Sequence, residues 1–181
     1  MIYVFLANGF EEIEALTPVD CLRRCELEVK TVGIGGRAVT GSHGITVFCD
    51  LIAEEAALND RLEMIILPGG MPGTLNLEKS QYVKSAIEFC RDNKIPIAAI
   101  CAAPSILGHM GLLKGKKATC FVGFEDQLLG ADVLTDRPVV TDGDIITACG
   151  MGNALDFACA IVSKLISSER AEMLLKALNK K

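Results

Sequence analysis

At 181 residues, with 50% hydrophobic and 23% charged side chains, the chain carries enough apolar material for one full-sized core over residues 1–181 and has no disordered composition. A net charge of -5 without any Lys or Arg run argues against nucleic acid as the main partner and leaves small molecules or proteins. None of the eight cysteines forms a CxxC pair, so no zinc or other metal site is expected. No apolar run reaches the roughly 18 residues of a membrane helix, and Glu11 and Glu12 arrive before a signal peptide is complete, which predicts a cytoplasmic protein with reduced thiols.

Ile2 to Ala7 is a short apolar run closed by Asn8-Gly9, the pattern of a buried first strand. From Glu11 to Cys25 the spacing becomes helical, with Ile13 marking the inward face and Pro18 expected to kink or split the helix. Leu27 to Ile34 is a second strand, and Ile45 to Cys49 completes an antiparallel excursion after Gly35-Gly36. The Ala/Glu-rich stretch from Ile52 to Leu58 predicts a short helix, and Leu62 to Leu67 another buried strand. That strand runs into Pro68-Gly69-Gly70, with Pro72-Gly73 close behind, placing flexible backbone where open α/β sheets bind ligands.

Ser80 to Asn93 is an amphipathic helix leading into the strand Ile95 to Ile100. A helix is expected to start at Cys101 itself, which makes Cys101 the corner of a strand-turn-helix elbow. A helix start there would lower the thiol's pKa and cradle an oxyanion. The same residue reads equally well as a small buried hydrophobe, and the junction alone leaves the two readings even. Beyond a possible short strand at Ala118 to Phe121, the elements are a hairpin across Asp142-Gly143, a helix from Ala154 to Ile166 and a last one from Glu169 to Leu178. The order of strands and helices predicts an α/β fold with a doubly wound, mostly parallel sheet flanked by helices.

Glu11, Glu12 and Glu14 follow the first strand and fall on the Cys101 side of the sheet. Two of them are expected to serve the helix N-terminus, leaving one open for the site. Of the two histidines, His109 lies about 12 Å along its helix from Cys101 and reads as a packing residue. His43 sits in a Gly-flanked loop that reaches the site only by folding over it. Gly69 and Gly70 are candidate oxyanion donors.

GFEEIEALTPVDCLRR (9–24), ILPGGMPGTLNL (66–77), IAAICAAPSIL (97–107) and GNALDFACAIV (152–162) together resemble the ThiJ/PfpI family, close to its Parkinsonism-associated deglycase subgroup and bacterial relatives. The resemblance spans nearly the whole chain in order. It implies a flavodoxin-like, class I glutamine amidotransferase-like sheet, a homodimer, and no cofactor. It also implies Cys101 as an oxidation-prone nucleophile, Glu14 as a buried protonated carboxyl beside it, Gly70 and Ala102 as backbone donors with Gly69 adjacent, and His43 as a contact for a substrate anion. The implied activity is that of a glyoxalase or deglycase on methylglyoxal-like 2-oxoaldehydes, or on glycated adducts, in oxidative and carbonyl stress defence. The alternative is a redox sensor or redox-regulated chaperone that uses the same cysteine. In one departure Phe121 stands where many relatives carry a histidine near the cysteine, which puts a Cys-His dyad in doubt.

Overall fold

The computed structural model describes residues 1–179. In chain order its elements are β1 (Ile2–Ala7), α1 (Glu12–Arg24), β2 (Val29–Ile34), β3 (Ala38–Thr40), β4 (Thr46–Phe48), β5 (Leu51–Ile52), β6 (Met64–Leu67), α2 (Gly73–Lys79), α3 (Gln81–Asn93), β7 (Ile97–Ile100), α4 (Pro104–His109), β8 (Lys117–Ala118), β9 (Asp132–Val133), β10 (Val139–Asp142), β11 (Ile145–Ala148), α5 (Ala154–Leu165) and α6 (Ser168–Ala177). Seven strands form the central sheet in the order β10-β11-β7-β6-β1-β2-β5, parallel except for β10. The β3–β4 hairpin and the β8–β9 pair lie outside it.

The sheet is covered on both faces, so its central strands are apolar throughout instead of alternating. In β1, Ile2, Val4 and Leu6 pack with Ala15, Val19 and Leu22 of α1 and Phe157 and Ile161 of α5. Tyr3, Phe5 and Ala7 point the other way, into a core with Val83, Ile87 and Cys90 of α3 and Ile106 of α4. From β1 the chain winds outward through β2 to β5, and from β6 it winds the opposite way through β7 to β11. The β1/β6 boundary is therefore the switch point, where doubly wound folds bind ligands at the carboxyl ends of the strands. Residues after β1, β6 and β7 meet there.

The structure corrects several local expectations. α1 runs unbroken through Pro18, although that ring offers no N–H to the preceding turn, because Ala15, Val19, Cys21 and Leu22 are buried around it. Ile13 is 51% exposed, and the buried stripe passes instead through Glu14, Ala15, Pro18, Val19 and Leu22. The helix expected from Ile52 to Leu58 is a single 3-10 turn, Ala53–Glu55, because Leu51 and Ile52 pair with Val32 and Gly33 at the sheet edge. Gly73, expected in a turn, begins α2.

Candidate active site

Cys101 follows β7 with φ at 67°, a left-handed conformation that costs a non-glycine residue about 1–3 kcal/mol. Two backbone bonds hold it there. Its N–H donates to the Ala148 carbonyl at 2.8 Å and its own carbonyl accepts from the Phe121 N–H at 2.8 Å. These bonds clamp the elbow between the end of β11 and the segment after β8, so that the side chain turns away from the strand direction.

The helix expected to start at the cysteine does not do so. Cys101 to Ala103 form turns, and α4 begins only at Pro104 and is six residues long. The dipole expected to activate the sulfur is thus displaced by a turn. With a residue exposure of 9%, Cys101 is also largely buried, and burial, joined by the Glu14 charge, pushes its pKa up to about 12. The expectation of a lowered pKa is corrected on both grounds. Two effects oppose the rise, the backbone N–H groups of Ala102 and Gly70, which favour negative charge on the sulfur.

Glu14 is fully buried and its carboxyl interacts directly with that sulfur. Oε2 accepts the Gly69 N–H at 2.9 Å. Burial raises its pKa to about 7, the Glu11 charge adds to the rise, and the Cys101 thiol and the Gly69 and Met151 N–H groups oppose it. The two groups titrate as one system whose first proton leaves near 7. The proton that remains has two places to sit. With Glu14 ionised its charge holds the thiol protonated; with Glu14 protonated that repulsion vanishes, and the O–H is a donor for a thiolate that also takes the Ala102 and Gly70 N–H groups.

The glycines of the β6 turn make this contact possible. A Cβ at Gly69 would stand 2.6 Å from Glu14 Oε2 and 2.7 Å from the Cys101 Cβ. Gly70, with φ at 90°, would collide with the Glu11 N at 2.3 Å. Gly69 also accepts the Glu11 N–H through its carbonyl at 2.9 Å, which ties the turn to the start of α1.

His43 does not join the cysteine. It is exposed on the loop of the β3–β4 hairpin, with Nδ1 3.0 Å from Glu12 Oε2 and 3.5 Å from Glu11 Oε2. The Glu12 hydrogen bond raises the His43 pKa. Burial pushes Glu12 up, but the His43 ring and the N–H groups of Glu12, His43 and Ile45 outweigh it and bring its pKa down to about 2. Within one chain, the His43 ring therefore faces two carboxylates. Glu11, Glu12, Ile13, His43, Ile45 and Met151 line a cavity of about 270 Å³. His109, expected to pack, is on the surface and contacts Glu78 at 2.6 Å.

Met151 and the Ala148 and Phe121 backbone were not singled out from the sequence. They lie far along the chain from the residues they serve, and only the strand order brings them together. Glu14 did leave a signal, since 14, 15, 18, 19 and 22 share one helical face.

The DJ-1/PfpI family model matches residues 1–164. The chain is 34% identical over 177 residues to protein dj-1beta of Drosophila melanogaster, covering 97% of this chain and 94% of that protein. It is also 34% identical over 147 residues to the deglycase PfpI of Pyrococcus furiosus, covering 78% of this chain and 85% of that one. The crystal structure of Drosophila melanogaster DJ-1beta superposes with a TM-score of 0.94 at 32% identity, covering 99% of this chain and 97% of that one.

Proposed function

The chain belongs to the DJ-1/PfpI family, and from that membership we propose that it is a cysteine-dependent, cofactor-independent enzyme of the glyoxalase or deglycase type, acting on methylglyoxal-like 2-oxoaldehydes or their adducts. The observation that carries the reading is the buried Glu14 carboxyl beside a Cys101 held at φ 67°. A group titrating near 7 is matched to proton transfer at neutral pH. Strain of this kind persists where the surroundings over-determine it, as the Ala148 and Phe121 backbone bonds do here.

In the proposed reaction the Cys101 sulfur bonds to the aldehyde carbon, and the thiol proton passes through Glu14 to the former aldehyde oxygen. The Gly70 and Ala102 N–H groups stabilise that oxygen while it is negative. Glu14 then removes the proton from the same carbon and returns it to the neighbouring carbon, while the hydroxyl on the first carbon gives up its proton and the neighbouring ketone oxygen takes it, giving a 2-hydroxy thioester. Water cleaves the C–S bond, releasing a 2-hydroxy acid and the free thiol. Because Phe121 offers no acid or base, each of these transfers falls to Glu14.

A homodimer belongs to the same proposal. Ile13 of α1 (51% exposed) and Ile45 of the β3–β4 loop (53%) line one cavity, Phe48 of β4 is 79% exposed, and a second copy would cover them.

The enzyme reading is tested by methylglyoxal turnover in the wild-type, Cys101→Ser and Glu14→Gln proteins, with mass spectrometry after mild peroxide. We expect 2-hydroxy acid from the wild type only. Wild-type turnover equal to that of Cys101→Ser, together with clean addition of two oxygens at Cys101, would favour a redox sensor instead.

A further inference from the structure

We infer that Cys120 and Cys149 form a second redox centre, a dithiol that a hydroperoxide converts to a disulfide within the chain, separate from the Cys101 chemistry. The two thiols line one cavity of about 290 Å³, and none of its lining residues belongs to α1 or the β3–β4 hairpin, the elements proposed to meet a second copy. Cys120 is fixed against the end of β11 by the bonds of its two neighbours. The Thr119 N–H donates to Thr147 Oγ1 at 2.9 Å, and the Phe121 N–H donates to the carbonyl of Cys101, whose own N–H donates to Ala148. Cys149 is the next residue after Ala148. The two cysteines therefore sit on adjoining backbone segments, the arrangement a disulfide needs, since its Cα atoms stand about 4.4–6.8 Å apart.

The surroundings of the two sulfurs divide the roles. Cys149 is half-buried, and Asn153 Nδ2 donates to its sulfur at 3.0 Å. Asn153 stands at the N-cap of α5, where such a side chain ordinarily accepts a backbone N–H, yet it makes no capping bond here. An N–H donor suits a thiolate, the form that attacks a peroxide, better than a thiol, whose sulfur is a weak acceptor. Val122 and Thr135 line the same cavity and are exposed, which gives a small oxidant a path to it. Cys120 lies deeper. Burial pushes its pKa up to about 11, and the charges of Glu125 and Cys149 add to the rise, so it keeps its proton until Cys149 has reacted. Cys101 does not line this cavity, because its sulfur turns to Glu14 and to the Ala102 and Gly70 N–H groups.

In the first step the Cys149 thiolate attacks one peroxide oxygen, the O–O bond breaks, and the other oxygen leaves and takes up the proton that the thiol gave up. Cys149 becomes a sulfenic acid, oxidised by two electrons, as the hydroperoxide is reduced. The Cys120 sulfur then attacks the Cys149 sulfur, the S–O bond breaks, and the departing hydroxide leaves as water with the Cys120 proton.

The test uses hydrogen peroxide at limiting amount on the full chain, as wild type and as Cys101→Ser, freed of reductant. Remaining thiols are then blocked and the peptides sequenced by mass spectrometry without reduction. We expect a Cys120–Cys149 link in both proteins, with the loss of two hydrogens per chain. Cys149→Ser should leave Cys120 unmodified. Cys120→Ser should let the sulfenic acid accumulate on Cys149, trapped by dimedone at a several-fold higher level than in the wild type, and Asn153→Ala should slow linkage several-fold. No Cys120–Cys149 link in either protein, a wild-type link from Cys149 to Cys101 in its place, a link between chains, or sulfenic acid formed first on Cys120 would each overturn the assignment. The wild-type and Cys101→Ser arms leave both thiols intact, so neither depends on how a Cys120 or Cys149 variant folds. Because the link is read in a protein that lacks Cys101, its failure and that of the enzyme reading are distinguishable.

Discussion

Glu14 Oε2 and the Cys101 Cβ converge on one point, the place where a side chain at position 69 would begin, 2.6 Å from the first and 2.7 Å from the second. The acid and the thiol therefore meet only because residue 69 is glycine. Gly69→Ala should separate them and destabilise the fold by about 1–3 kcal/mol, since the colliding neighbours are fully or largely buried. Gly152→Ala, which would meet nothing within 4 Å, is the control. Chemical denaturation of both variants checks this, and wild-type stability in Gly69→Ala would show that the contact is looser than described.

Replacing Cys101 should invert the usual ranking of alanine over glycine. With φ at 67°, Cys101→Gly relieves left-handed strain that Cys101→Ala retains, so the glycine variant should be the more stable by about 1 kcal/mol. A higher urea midpoint for the alanine variant would mean that the elbow relaxes when the sulfur is removed.

The fold was legible where burial is simple. Strands covered on both faces read as continuous apolar runs, and Ile2–Ala7, Met64–Leu67 and Ile97–Ile100 follow directly from them. The Cys101 corner was legible as a junction of two patterns, and φ confirms its shape. The pKa direction was not, because burial and the charge on Glu14 depend on what surrounds the thiol in space. Hydrophobicity alone points Ile13 to the inner face of α1, whereas the buried stripe runs through Glu14. The meeting of Glu12 with Ser42 and His43 depends on how the β3–β4 hairpin folds back, which a separation of 31 residues does not reveal.

Stability should carry the signature of a raised carboxyl. Glu14 has a higher pKa folded, about 7, than its ordinary 4.5, so the native state binds the extra proton between those values. Its contribution is fully present below 4.5 and is lost as pH rises through 7, a difference of about 3 kcal/mol. Glu14→Gln should remove that slope. Parallel urea midpoints for the two proteins from pH 4.5 to 7 would contradict the burial argument.

If Ile13 and Phe48 face a second copy, the wild type should sediment at twice its 19.3 kDa mass. Ile13→Glu, which puts a charge on the proposed interface without touching the core, should shift it to monomer. A single 19.3 kDa species in the wild type would end the dimer proposal.

The most direct test of the account is the pH profile of Cys101 alkylation, read by mass spectrometry, in the wild type and in Glu14→Gln. Loss of the Glu14 proton near 7 leaves a carboxylate that holds the thiol protonated, so wild-type reactivity should stay low through pH 7 and rise only toward the thiol's own value of about 12. In Glu14→Gln that charge is gone, so the rise should begin at lower pH, still above the ordinary thiol value of 9.0 because of burial. Identical alkaline profiles in the two proteins would contradict the coupling of Glu14 to Cys101.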